Sequence, residues 1–216
     1  NNEIYGLTKG QYSPTSKLGK VTKTSPYGTV ERPFNPGELV IGARGTFFAR
    51  SIDAEVNLTT DCMVAASKHD GLSVIEVLVN CMIFNNGTHK AFAGDKEVRA
   101  EHTITLRHGE KMLFGKNMDK GLMLDNMKLK VVTVGENGVT LDDILVHDAH
   151  EKDTMVHVML ASMKYPDYPV ALGVIRDVEA PTYEHEVARQ IAEVQATAKI
   201  KNVDDLLNSG ETWEVE

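Results

Sequence analysis

The chain has 216 residues, 42% of them hydrophobic and 25% charged, which at roughly 100–200 residues per domain is one domain with room for an appendage. Such a composition is that of an ordinary soluble globular protein, able to bury a core without disulfides or structural metals, and no apolar run reaches the ~18 residues of a membrane helix. A net charge of −8, from 23 basic and 31 acidic side chains, argues against nucleic-acid or anionic-membrane binding by bulk charge. The two cysteines, Cys62 and Cys81, exclude a disulfide-built secreted fold and fit a reducing cytoplasm.

The first residue is Asn1 and no basic-then-apolar leader is present. The expectation is therefore a processed chain, or one that begins inside a longer protein. Residues 1–35 are rich in Gly, Pro, Ser and Thr and lack periodicity, so apart from a short strand at Glu3–Tyr5 they read as loop. An irregular segment of that length is uncommon in a compact domain and is usually functional or disordered. Pro36 opens a short helix to about Ala43. Phe47–Ile52 reads as a strand. Leu58, Cys62, Ala65 and Ala66 form a stripe that makes Ala54–Lys68 a helix, ended by Asp70-Gly71. Leu72–Val79 is apolar and β-branched, as in a strand buried on both faces of a parallel sheet. Helix followed by buried strand, repeated, implies an α/β domain.

From about Asn85 a second region holds short strands at Thr103–Leu106, Lys111–Phe114 and Leu129–Val134, then a helix at Thr154–Met163 and a buried strand at Ala171–Ile175. Thr182 is an N-cap for a helix whose apolar stripe is Val187, Ile191, Val194 and Ala198, with Glu184 and Glu186 in its first turn. Val203–Leu207 is a short helix followed by a tail. The familiar nucleotide, zinc-protease, nucleophile-elbow and paired-cysteine motifs are absent.

Three clusters could carry chemistry. In the opening loop, the Asn2 side-chain oxygen and the Ile4 carbonyl could ligate a hard cation such as Mg²⁺, which often accompanies a diphosphate. Gly6 and Gly10 would permit close backbone approach, and Lys9 would face an anionic substrate. By local pattern alone, a glycine-rich turn with incidental polar residues is preferred. Cys81 follows the end of a buried strand, where thiolates can hold iron–sulfur clusters, although a small buried hydrophobe is the commoner fate of a free cysteine and one cysteine holds no cluster alone. Cys62 reads as core. His147-Asp148-Ala149-His150 invites a metal reading, but on a strand His147 and Asp148 point to opposite faces, so a solvated surface turn is preferred. Met118–Met127 reads as core or subunit contact.

The run Asn1-Asn2-Glu3-Ile4-Tyr5-Gly6-Leu7-Thr8-Lys9-Gly10-Gln11, followed by Ser13-Pro14-Thr15, resembles the thiamine-diphosphate loop of β subunits of 2-oxoacid:ferredoxin oxidoreductases. Further matches follow in order: Asn35-Pro36, Phe48-Ala49-Arg50, Gly71-Leu72 to Asn80-Cys81, Ile83 to Gly87, His108-Gly109-Glu110, Phe114-Gly115, Val146 to Ala149, Pro181-Thr182-Tyr183 and Ser209 to Trp213.

The resemblance implies an α/β thiamine-diphosphate-binding fold, a parallel sheet flanked by helices, N-terminally truncated and carrying a C-terminal α+β extension. Residues 1–90 would be the remainder of the cofactor-binding domain. Residues 91–216 would be the extension, packing on it and on a partner subunit. It implies an α-subunit partner in a heterodimer, oxidative cleavage of a 2-oxoacid, electron transfer through iron–sulfur to ferredoxin, and coenzyme A as acyl acceptor. By position, Asn2 and the Ile4 carbonyl match Mg²⁺ ligands, Asn2, Ile4, Gly6 and Thr8 the cofactor loop, and Cys81 the last of four cysteines that hold a [4Fe–4S] cluster. Leu7, Thr8 and Lys9 match the substrate positions. Pyruvate-type relatives carry Asn and Gly where Leu7 and Lys9 stand, and a lysine ammonium suits the distal carboxylate of 2-oxoglutarate. The expected substrate is therefore 2-oxoglutarate, with pyruvate or branched 2-oxoacids, or a non-catalytic remnant, as the alternatives. The acid–base group is not identifiable. The family's Gly-Asp-Gly and its other cysteines are absent. The nearest string, Gly94-Asp95-Lys96, is in the wrong place, so the missing elements are expected upstream of Asn1.

Overall fold

A computed structural model describes residues 1–211 and Trp213. Thr212, part of the run matched at Ser209 to Trp213, and Glu214–Glu216 lie outside the described residues. Helix α1, Pro36–Gly42, starts where Asn35 Oδ1 accepts the Gly37 N–H at 2.9 Å and proline takes the first helical position. Strand β1, Phe47–Ile52, is buried at all six positions. Helix α2, Val56–Lys68, lays Leu58, Cys62, Ala65 and Ala66 over Phe47 and Ala49. Strand β2, Ser73–Leu78, runs parallel to β1. Helices α3, Lys90–Ala93, and α4, Lys96–His102, were not expected; neither buries a residue, so neither carries a stripe to read. Asp95 of the Gly94-Asp95-Lys96 string is the N-cap of α4, accepting the Val98 N–H at 2.9 Å.

Strands β3, Thr103–Leu106, β4, Leu113–Phe114, β5, Lys120–Asp125, and β6, Lys128–Thr133, come next, then helix α5, Met155–Ser162, and strand β7, Val170–Asp177. The main sheet has the order β2-β1-β7-β3. It is mixed rather than parallel throughout: β1–β2 and β3–β7 are parallel, while β1–β7 is antiparallel with a bulge between Phe48 and Ala49. One face carries α2. On the other, Ile41, Phe48, Leu160, Ala161 and Ile175 join the small antiparallel sheet β4-β5-β6 through Phe114, Leu122 and Leu129 in a shared core.

Several expectations need correction. Glu3–Tyr5 is no strand; Tyr5 makes only an isolated bridge with Gln11. The β2 strand is mostly half-buried, because β1 is its only neighbouring strand in the sheet. Of Lys111–Phe114 only Leu113–Phe114 is strand, with Lys111 bridging Val146. The Met118–Met127 stretch hides β5 and the turn Asn126-Met127, whose positive φ angles of 47° and 63° close the β5–β6 hairpin. Met118 and Met127 are exposed, so the core residue of this stretch is Leu122.

Gly173, in β7, has φ +95°, and a Cβ there would lie 2.5 Å from the Leu106 carbonyl oxygen of β3. Gly173→Ala should therefore destabilise by about 2 kcal/mol or more. Urea denaturation checks this, and an unchanged midpoint would show that the sheet relaxes around a side chain.

Residues Asn1–Glu179 form one unit and those from Ala180 a second. In the second, helix α6, Tyr183–Thr197, begins as expected with Thr182 Oγ1 accepting the His185 N–H, and Arg189 pairs with Glu186 and Glu193. Helix α7 spans Val203–Leu207. No helix among the described residues is long and apolar enough to cross a membrane.

Candidate functional site

Asn1 takes a parallel-ladder place on the side of β2 away from β1: its amino group donates to the Val77 carbonyl, and its carbonyl accepts the Val79 N–H at 3.0 Å. The opening loop therefore leaves from the carboxyl end of two parallel strands, the place where α/β sheets bind ligands. Asn2 Oδ1 accepts the Ile4 N–H at 3.2 Å, which folds Asn2–Ile4 into a tight turn with Ile4 buried. Glu3 adopts φ +53°. From Tyr5 to Gln11 the backbone doubles back, with Tyr5 N–H on the Gln11 carbonyl at 2.8 Å and Gly10 N–H on the Tyr5 carbonyl at 3.0 Å. Its tip projects: Gly6, Leu7, Thr8 and Lys9 are exposed, Leu7 by 97%. The expected residues thus fall into a turn, Asn2–Ile4, whose Ile4 is buried while Asn2 is half-buried, and an exposed tip, Gly6–Lys9.

The Cys81 turn lies against this loop. Asn85 N–H donates to the Cys81 carbonyl at 3.0 Å, Cys81 Sγ accepts the Phe84 N–H at 3.5 Å, and Gly10 sits against the Phe84 ring. The Phe84 N–H holds the Cys81 thiol below its ordinary pKa. Cys81 is only partly buried and is not the small core hydrophobe that the commoner fate suggests. Cys62 is core as expected, 1% exposed, with burial first and the Asp61 charge second raising its thiol to about 11. Iodoacetamide near neutral pH should accordingly modify Cys81 and leave Cys62 intact, as peptide mass spectrometry would show; equal labelling would contradict this burial.

Beside the loop is a cleft of about 220 Å³ whose polar wall is one network. Arg50 Nε donates to Glu76 Oε2 at 2.7 Å, and both side chains are 6% exposed. Asn1 Nδ2 donates to Glu76 Oε1 at 2.8 Å, and the Arg50 guanidinium also reaches Asn35 Oδ1 and the Ala161 carbonyl, both at 3.2 Å. Sequence reasoning missed this network. Its signal was a single charge in each of two otherwise uncharged strands, and Arg50 and Glu76 are register partners in β1 and β2.

The histidine segment is not a solvated turn throughout. His147 is 1% exposed and its Nε2–H donates to the Val174 carbonyl at 2.9 Å. His157, fully buried, donates to the Asp148 carbonyl at 2.8 Å and accepts from Arg176 at 2.8 Å through Nδ1. Asp148 and His150 do face solvent, with His108 Nδ1 3.3 Å from Asp148 Oδ1. Among the described residues no three His, Cys, Asp or Glu side chains converge as a metal site.

The cofactor test is therefore partial. The Asn2–Ile4 turn offers oxygen donors of the kind Mg²⁺ prefers, but not the six of an octahedral shell. Cys81 offers one thiolate where a [4Fe–4S] cluster needs four ligands, and Cys62 is committed to the core between α2 and β1.

No family model matches the chain. The β subunit of a 2-oxoacid:ferredoxin oxidoreductase from Saccharolobus solfataricus is 43% identical over 86 residues, 40% of this chain and 28% of that protein. A solved 2-oxoglutarate:ferredoxin oxidoreductase from Magnetococcus marinus, with 2-oxoglutarate, coenzyme A and succinyl-CoA bound, superposes with a TM-score of 0.62 at 20% identity, covering 98% of this chain and 56% of that one. That likeness shows the fold. The chain is thus similar to the β subunits of 2-oxoacid:ferredoxin oxidoreductases, as the opening loop suggested. More particularly, it matches the 2-oxoglutarate oxidoreductase subunit KorB of Mycobacterium tuberculosis along its whole length, with 37% identity over 219 residues. The chain spans 58% of that subunit's length.

Proposed function

We propose that the chain is the part of a β subunit that helps to convert 2-oxoglutarate, coenzyme A and oxidised ferredoxin to succinyl-CoA, CO₂ and reduced ferredoxin, or the reverse. The observation that carries this reading is the whole-chain match to a 2-oxoglutarate-type subunit. The Asn2–Gln11 loop, at the carboxyl end of β1 and β2, supports it.

On this reading the fold is of the thiamine-diphosphate-binding kind. Residues 1–90 form the cofactor-facing part, and residues 91–216 an extension that meets an α subunit. Asn2 Oδ1 and the Ile4 carbonyl would help to hold Mg²⁺ on the diphosphate, with Gly6 and Thr8 beside it, and Cys81 would be one of four ligands of a [4Fe–4S] cluster. When bound, thiamine diphosphate supplies the electron sink that decarboxylation of a 2-oxoacid requires. This chain's residues would orient and shield. The Asn2–Ile4 turn fixes two oxygens, Leu7 offers apolar surface, Thr8 a hydroxyl, and Lys9 an ammonium for the distal carboxylate. Because the tip is bare, a partner subunit must close over it before Lys9 and a carboxylate form a desolvated pair.

The test is turnover of the complex with an α subunit, read as 2-oxoglutarate- and coenzyme A-dependent ferredoxin reduction; no turnover with 2-oxoglutarate would defeat the reading. Lys9→Ala should raise KM for 2-oxoglutarate about 10- to 100-fold, the worth of one charge-assisted contact, and leave 2-oxobutyrate unaffected. Equal effects on both substrates would remove Lys9 from the distal-carboxylate role.

A further inference from the structure

Asn85 lies between the two turns that the proposed function assigns to different cofactors, and its bonds go to both. Its side-chain Nδ2 donates to the Asn2 carbonyl at 2.8 Å and lies 3.4 Å from the Glu3 carbonyl. Its Oδ1 accepts from the Lys20 ammonium. Its backbone N–H closes the Cys81 turn on the Cys81 carbonyl, and its own carbonyl accepts the Thr88 N–H at 3.3 Å. The residue is 4% exposed, so water does not replace these partners. An asparagine that merely capped its own turn would have no reason to satisfy two carbonyls more than 80 positions away.

The other end of the clip is a strained residue. Glu3 has φ +53°, uncommon outside glycine and costing of order 1–3 kcal/mol, and such conformers persist where the surroundings over-determine them. Here four groups do so. Asn1 Oδ1 accepts the Glu3 N–H at 3.1 Å, Asn85 and Ser16 Oγ, the latter at 2.6 Å, reach the Glu3 carbonyl, and Thr88 Oγ1 donates to the Glu3 carboxylate at 2.7 Å. Two of the four, Asn85 and Thr88, belong to the segment that follows Cys81. Gly10, farther along the opening loop, rests on Phe84 of the same segment; a Cβ there would be 3.2 Å from the ring.

We propose that Asn85 is a positioning residue that locks the Asn2–Ile4 turn to the Cys81 turn, so that the two are set as one rigid unit. The coupling is a property of this chain's own residues. Its meaning for catalysis, a fixed placement of the cation ligands relative to the cluster ligand, rests on the proposed function. A buried amide with its donors and acceptors filled suits that task, because its loss takes from the Asn2 carbonyl the donor that ties it to the Cys81 turn.

The test uses the 216-residue chain without cofactors. Alkylating Cys81 with iodoacetamide perturbs its turn, and ¹H–¹⁵N spectra report whether the perturbation arrives at Glu3 and Ile4. In the wild type the Glu3 and Ile4 amide resonances should shift on alkylation. In Asn85→Ala they should stay in place while the amides of Ile83 and Phe84 still shift. Glu3 and Ile4 resonances that ignore alkylation in the wild type, or that shift equally in Asn85→Ala, would overturn the proposal. Should Asn85→Ala fail to fold, Asn85→Asp keeps the size and the acceptor for Lys20 but removes the donor to Asn2, and the same uncoupling is expected. A full complex free of thiamine diphosphate and cluster would defeat the functional reading and leave this coupling result standing.

Discussion

Glu76→Ala should lower the stability of the chain by about 3–5 kcal/mol, the usual cost of stripping one partner from a buried ion pair. The cost lies with what remains. Arg50 would keep Asn35 Oδ1 and the Ala161 carbonyl, each at 3.2 Å, but lose the carboxylate at 2.7 Å, and a cation 5% exposed would stay buried with no anion beside it. Asn1 would lose the acceptor of its side-chain amide as well, so the opening loop would be held on β2 by its backbone bonds to Val77 and Val79 alone. The double variant Arg50→Met/Glu76→Leu removes both charges and fills the space, and it should recover most of the loss. Urea denaturation of the three proteins, with the slope of each transition compared, decides it. A loss below about 1 kcal/mol for Glu76→Ala would mean that water reaches the guanidinium through the cleft and that the pair behaves like a surface one.

What could be read from the sequence follows from how local each feature is. Strands β1 and β3 fall at the expected residues because apolar or β-branched side chains follow one another there, and Thr182 and Pro36 announce their helices by caps that act within three residues. Strand β5 escaped notice because its turn, Asn126-Met127, has no glycine, and its own Gly121 is there to admit Ile144, whose side chain would be 2.6 Å from a Cβ. At the site, the turn chemistry of Asn2–Ile4 and the exposed lysine of the tip are legible within eleven residues. The partners that give them meaning are not: Glu76 is 26 positions from Arg50, Asn85 is 83 from Asn2, and Arg176 is 19 from His157. Polar pairs across that distance leave no period in a sequence; the trace of Arg50 and Glu76 is one charge in each of two otherwise uncharged strands, and Asn85 leaves none in its polar run.

The same long-range pairing should make the chain lose stability on mild acidification. His157 is buried with both nitrogens committed, Nε2–H to the Asp148 carbonyl and Nδ1 to the Arg176 guanidinium, which fixes it as the neutral tautomer. Burial, and then the Arg176 charge, hold its pKa below the ordinary value. Burial does the same for His147, whose Nδ1 has no partner among the described residues and would have to carry the added proton. Above about pH 6.5 both histidines are neutral folded and unfolded, and their full contribution to stability is present. As pH falls through 6.5 the unfolded chain takes up protons that the folded chain refuses, so stability declines by at most about 1.4 kcal/mol per pH unit for each histidine until the depressed native values are reached. Protonation of His157 also sets an imidazolium against a guanidinium that otherwise holds the 151–152 backbone through the Glu151 carbonyl at 3.0 Å and the Lys152 carbonyl at 3.3 Å, and reaches the Gly45 carbonyl at 3.1 Å. Amide exchange should therefore rise first between residues 148 and 153. Urea midpoints measured from pH 8 to pH 5 should fall in the wild type and fall less steeply in His157→Asn, which cannot titrate. A flat wild-type profile over that range would show that the folded and unfolded chains take up protons equally, and that burial does not hold the two rings neutral.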